Sequence, residues 1–304
     1  MLVLLPLLIL LAVASTPSPA AGDGGAGAMP VISPISCLCN STSIRRTYQP
    51  DSAFAANLAT LSRELPRNAS ASGFSAGAFG AGPGTAYGLV LCRGDFAGGR
   101  CASCLEAGFR YAEQNCFSSS DVAVYYDQCL LRYSDKDFLA GGGNAPESPA
   151  TNMNNVSDGN VAAFDALVAR LAGAVADAAS KASRRYATGE AGFPPQKMNV
   201  YALAQCTPDL TPAQCRGCLA GLIREMPAWF TGRIGGRILG VRCNIRYENN
   251  MFYDGTPLKR ITAASPSPPA APPTTPTTNS RSMWHQVFYL LYDDDQTLNF
   301  NLGC

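Results

Sequence analysis

The stretch "CRGDFAGGRCASC", Cys92 to Cys104, and a later one, "CTPDLTPAQCRGC", Cys206 to Cys218, share one spacing: eight residues between the first two cysteines and two between the next pair. Each follows a short aromatic segment, "TAYGLVLC" (85–92) or "NVYALAQC" (199–206), and each precedes an amphipathic stretch and a further cysteine, Cys129 or Cys243. Self-similarity of this kind marks a repeated structural unit. In the second copy Thr211-Pro212 supplies an N-cap and a proline at the first helical position, and Leu219, Leu222, Ile223 and Met226 recur at helical spacing. Cys215 and Cys218 then fall one turn apart on one side of the first turn. Downstream, "RILGVRCNIRYE" (237–248) alternates, with Leu239, Val241, Cys243, Ile245 and Tyr247 on one face, and reads as a strand with a buried face. "VYYDQCLLRYS" (124–134) does the same around Cys129.

Working further outward, each copy opens with a longer helix. Asp51-Ser52 caps a run with Phe54, Leu58, Leu61 and Leu65 on one stripe, and Asp158 caps a run with Val161, Phe164, Val168, Leu171 and Val175. One unit is long helix, short strand, cysteine triplet, second helix, paired strands. The expected fold class is α+β: two tandem domains, each an antiparallel sheet with two helices packed on one face, stapled by disulfides. The expected divisions are a signal peptide and small-residue leader over 1–28, a first cysteine-rich repeat over 29–140, a second over 141–258, and a Pro/Thr-rich spacer with a disordered tail over 259–304.

Composition sets the compartment. The chain has 304 residues, 47% of them hydrophobic, so it can bury a core and is longer than one average domain. A formal charge of +1 with scattered Lys and Arg provides no basic patch, and no nucleic-acid partner is expected. The 12 cysteines need either a metal or an oxidising compartment. "LVLLPLLILLAVA", Leu2 to Ala14, followed by Ala20-Ala21-Gly22, reads as a secretory signal, although it lacks a basic n-region. Sequons at Asn40, Asn68 and Asn155 fit that route as glycosylation sites. Secretion points to disulfides. The two C-x-x-C pairs lie more than a hundred residues apart and the only histidine is His285, so neither zinc nor another metal or cofactor is expected.

The triplet, the opening "QPDSAFAANL" (49–58), "RRYATGEAGF" (184–193), "AQCTPDLTPAQCRGCL" (204–219) and "GGRILGVRCNIRYE" (235–248) together resemble the plant cysteine-rich repeat of ginkbilobin-type antifungal proteins, over roughly residues 36–255. The same repeat occurs in tandem in cysteine-rich repeat secretory proteins and in the ectodomains of cysteine-rich receptor-like kinases. The resemblance implies the pairs Cys39–Cys116, Cys92–Cys101 and Cys104–Cys129 in the first copy, and Cys206–Cys215 and Cys218–Cys243 in the second. Cys37 stands so close to Cys39 that either could take the first bridge, and Cys39-Asn40 matches the family's "CN". For Cys304 a pairing with the other spare cysteine, an intermolecular bridge and a thiol are all open. The second copy lacks both ends of the first bridge, with Trp229 and Phe230 where one partner would stand.

The resemblance also implies a mannose site made of an Asn after the first cysteine, an Arg six residues before the strand cysteine and a Glu five residues after it. Sugar hydroxyls need such converging donors and acceptors. In the first copy Asn40 matches but Ala123 and Ser134 hold the other places. In the second copy Arg237 and Glu248 match, and counting back from Phe164 puts Asn154 nearest, with Asn155 its neighbour. With the only His outside both repeats and no glycine-rich phosphate loop, "HRD" or "DFG", the chain is not expected to be an enzyme. After "TAASPSPPAAPPTTPTTNS" (262–280) the longest apolar run, Val287 to Tyr292, is too short to span a bilayer. Two functions are open. One is a secreted, apoplastic defence or stress-type binding module that takes cell-wall or microbial mannose-containing glycans and acts against fungi. The other is a soluble receptor-like ectodomain, from a truncated receptor-kinase transcript, that pairs with other extracellular ectodomains.

Overall fold

The computed structural model describes residues 33–39 and 46–261; the leader, the Asn40 sequon, the spacer and tail from 262 and Cys304 lie outside the described residues. The first sheet contains β1 (Ser36–Cys39), β2 (Phe74–Phe79), β3 (Ala86–Cys92), β4 (Asp121–Tyr125) and β5 (Cys129–Ser134) in the order β1-β4-β5-β3-β2, antiparallel throughout. Helices α1 (Ala53–Ser72) and α2 (Gly99–Asn115) lie on one face of it. The second sheet repeats the plan with β6 (Ser148–Thr151), β7 (Tyr186–Phe193), β8 (Met198–Cys206), β9 (Gly236–Leu239) and β10 (Cys243–Glu248), under α3 (Val161–Lys181) and α4 (Pro212–Phe230). A sixth strand, β11 (Lys259–Ile261), joins β7 in parallel and is the one non-antiparallel neighbour among the described strands. The α+β class expected from the cysteine repeat is the class found.

Local chemistry explains the helices. The Ser52 hydroxyl accepts from the Ala55 N–H at 3.2 Å, and Phe54, Leu58, Leu61, Leu65 and Ala69 form the buried stripe of α1. At α4 the capping box is complete: Thr211 Oγ1 accepts from the Gln214 N–H, and Gln214 Oε1 accepts from the Thr211 N–H. The start of α3 differs from expectation. Asp158 opens a single 3₁₀ turn, Asp158–Asn160, and the α-helix begins at Val161 with no side-chain cap.

Segment 237–248 is not one strand but a hairpin of β9 and β10, and 121–134 is likewise β4 and β5. The chain turns over residues 240–242, and at Gly240 an added Cβ would sit 2.0 Å from Asn144 Nδ2. The alternating apolar residues therefore serve two cores. Cys243, Ile245 and Tyr247 join Phe164, Leu171, Leu219 and Phe230 in the core of the second repeat. Val241, with Leu239 packed alongside, joins Leu89, Leu91, Ala123, Tyr125 and Leu130 on the helix-free face of the first sheet. Polar ties reinforce that seam: Arg242 Nη2 donates to the Leu139 carbonyl at 2.8 Å, and Gln205 Nε2 donates to the Cys92 carbonyl at 2.9 Å.

Among the described residues, five cysteine pairs stand at disulfide distance: Cys39–Cys116, Cys92–Cys101, Cys104–Cys129, Cys206–Cys215 and Cys218–Cys243. The last four divide into two spans of nine residues and two of 25, one of each per repeat. Cys37 Sγ lies 3.5 Å from Cys116 Sγ. Phe230 holds the place in α4 that Cys116 holds after α2, and its buried ring packs on Tyr247 at 6.1 Å. An aromatic contact thus fills the place of a bridge in the second repeat.

Candidate functional site

The β9–β10 hairpin brings Arg237 and Glu248 together, with Arg237 Nη2 3.8 Å from Glu248 Oε1. The strand pairing Thr151↔Gly236 then sets Asn152, not Asn154, beside them: Asn152 Nδ2 donates to Glu248 Oε2 at 3.3 Å. Asn152 Oδ1 in turn accepts from the Asn154 N–H, while Asn154 and its neighbour Asn155 are exposed. The expected third member is thus displaced by two residues. Three nearby asparagines made the register ambiguous, and only the sheet resolves it. Gly235 makes the close approach feasible, because a Cβ there would fall 1.9 Å from Glu248 Oε2.

The site continues across the seam into the first repeat. Asp127, in the turn between β4 and β5, accepts from Arg237 Nη1 at 3.0 Å and Arg246 Nη1 at 2.5 Å through one carboxylate oxygen, and from Arg93 Nη1 at 2.7 Å through the other. Arg93 also reaches Asp95, and Arg246 reaches Glu248 at 3.3 Å while its guanidinium lies 3.9 Å from the Phe252 ring centroid. Burial pushes the Asp127 carboxyl up, but the guanidiniums of Arg246, Arg237 and Arg93 outweigh it and hold it below the ordinary carboxylate value. Burial, with Arg237 alongside, brings Arg246 down to about 10, so it stays charged at neutral pH. No sequence signal marked Asp127, Arg93 or Arg246, since a polar residue in a turn or on a strand reads the same whether it faces water or a second domain.

This arrangement is well satisfied and nearly closed. The side chains of Arg237 and Glu248 are 7% and 9% exposed, and the adjoining cavity of about 40 Å³ has room for water but not for a hexose. By spacing from the strand cysteines, Asp127 corresponds to Val241 and Arg237 to Ala123. Asp127 and Arg237 make an ion pair across the seam, while their counterparts Val241 and Ala123 share one apolar cluster. Ser134, the counterpart of Glu248, is buried and accepts from the Lys136 N–H. The sequon residue Asn68 is exposed near the end of α1.

A wider opening lies elsewhere, between α1 and α2 of the first repeat. This cleft of about 570 Å³ has Leu58, Phe109 and Tyr133 in its floor and Arg63, Arg110 and Glu113 at its rim. Between α3 and α4 the corresponding opening is about 50 Å³, because Met226 and Phe230 stand where the first repeat has the smaller Ala112 and Cys116.

These features define a tandem, disulfide-stapled α+β module of plant cysteine-rich repeats. A family profile described as salt stress response/antifungal matches residues 38–136 and 150–250, and the chain belongs to that family. It is 41% identical over 252 residues to cysteine-rich receptor-like protein kinase 6 of Oryza sativa subsp. japonica, covering 81% of this chain and 36% of that protein. It is 34% identical over 210 residues to cysteine-rich repeat secretory protein 38 of Arabidopsis thaliana, covering 67% of this chain and 81% of that protein. With the antimicrobial ginkbilobin-2-like protein of Castanea crenata it shares 32% over 210 residues, 69% of this chain and 86% of that one. The chain spans about a third of the length of several receptor-kinase relatives it matches. The fold is that of the tandem DUF26 ectodomain of the Arabidopsis thaliana cysteine-rich receptor-like protein PDLP8, with a TM-score of 0.59 at 21% identity, over 71% of this chain and 97% of that one. Among the described residues no helix is long and apolar enough to cross a membrane.

Proposed function

We propose that the chain is a secreted, apoplastic recognition module of the receptor-like ectodomain type, acting in defence or stress through protein partners and without catalysis. The observation that supports this reading over glycan binding is the Asp127 carboxylate on Arg237. The guanidinium that a sugar would need is already engaged by the other repeat. The open surface is instead the cleft between α1 and α2, whose apolar floor and mixed-charge rim suit a protein segment. Binding to cysteine-rich ectodomains, measured by interferometry with excess mannose present, is expected to be unaffected by the sugar and weakened by Ser62→Trp, which fills the cleft. Binding abolished by mannose would overturn this reading.

A second reading, a lectin acting on mannose-containing glycans, is favoured by the convergence of Asn152, Arg237 and Glu248. Calorimetric titration of the oxidised protein with mannose and a mannan oligosaccharide decides it. Heat that disappears in Asn152→Ala, a change that leaves the Asp127 contacts in place, establishes the lectin; no heat with either ligand excludes it.

A further inference from the structure

The two sheets treat equivalent edges differently. In the first, the Cys92 N–H donates to the Gly73 carbonyl, so by antiparallel alternation Ser75, Gly77 and Phe79 bond to β3. The N–H and C=O groups of Ala76 and Ala78 therefore point away from the sheet. In the second, the Cys206 N–H donates to the Arg185 carbonyl, and the same count leaves Thr188 and Glu190 pointing outward. There the edge is occupied. The Leu258 N–H donates to Thr188 Oγ1 at 3.4 Å, β11 sets Arg260 opposite Glu190, and their charged groups lie 3.8 Å apart. An acidic edge has taken a basic strand.

Strand β2 reads "FSAGAF", without a charge or a proline; Ala76 and Ala78 are exposed, and no described strand lies against its outer edge. It lacks the lysines, prolines and bulges that ordinarily keep edges apart. An uncharged edge is also self-complementary, because a two-fold axis brings each residue near its own copy and here no like charges meet. We propose that β2 pairs antiparallel with β2 of a second copy of this chain, Ala76 opposite Ala78 of the other copy around an axis at Gly77. The two outward-facing pairs exchange four N–H···O bonds and join two five-stranded sheets into one of ten strands. The pairing rests on the reading of the chain as a protein-recognition module.

Sedimentation velocity on the secreted, oxidised protein across a wide concentration series tests this. A reversible monomer–dimer equilibrium is expected. Ala76→Pro and Ala78→Pro remove only outward donors, leave the ladder to β3 intact, and are expected to weaken dimerisation at least tenfold with the melting temperature little changed. Ala78→Lys keeps the backbone and sets two ammonium groups across the axis; it should also dissociate the dimer, and added salt should restore it. A wild type that is monomeric throughout, or proline and lysine variants that dimerise like wild type, would overturn the pairing. Loss of dimerisation with ectodomain binding retained separates this inference from the functional reading, which would then stand alone.

Discussion

Asp127 serves three guanidiniums with two oxygens, and its side chain is 30% exposed while those of Arg237 and Arg246 are 7% and 14% exposed. Removing the carboxylate leaves three largely buried guanidiniums with only Asp95 and Glu248 to balance them, the costly way to break such a network. Asp127→Asn is expected to lower stability by about 2 kcal/mol in urea denaturation, below the range for fully buried pairs because Asp127 is partly solvated. The pH dependence has a defined sign. A carboxyl held below its ordinary value contributes stability that is present above that value and lost as pH falls through the lower native one. The urea midpoint should hold from neutral pH down to about 5 and fall below about 4, with a shallower fall in Asp127→Asn. At this scale the sequence revealed only part of the cluster. Arg237 and Glu248 were marked by their distance from Cys243, whereas Asn152 was hidden among three asparagines and Asp127 carried no mark at all.

Helices were the most legible elements, because a stripe such as Phe54, Leu58, Leu61 and Leu65 and a cap such as Thr211 are local signals. Thr211→Ala should cost about 1 kcal/mol, read from thermal melts, since it opens the capping box. The replacement of both Cys206 and Cys215 by Ser, closing a loop of nine residues in the native chain, should cost about 2–4 kcal/mol by the same measurement. The hairpins were less legible. In "RILGVRCNIRYE" the apolar alternation runs through the bend, because Val241 in the turn is buried by the other repeat where an ordinary hairpin would place a polar residue. A pattern that normally separates strand from turn was therefore erased by a contact made far away in sequence.

At the scale of the whole molecule, the seam joins the repeats through an apolar cluster, the Asp127 network and hydrogen bonds from Gln205 and Arg242. Calorimetry of the oxidised protein should show both repeats melting in a single transition, and Leu91→Ala, which opens the apolar half of the seam, should lower its midpoint or split it in two. None of this was legible beforehand, since periodicity shows which face of a strand is buried but not against what. The unlike use of equivalent positions has a consequence for descent. If two first repeats met as these halves do, Asp127 would face Ala123, a carboxylate against a methyl group; if two second repeats met, Arg237 would face Val241. Only first with second satisfies both. Whatever a duplicated ancestor once paired with, the divergence at these four positions has made each half of the chain a lock for the other and a poor fit for itself.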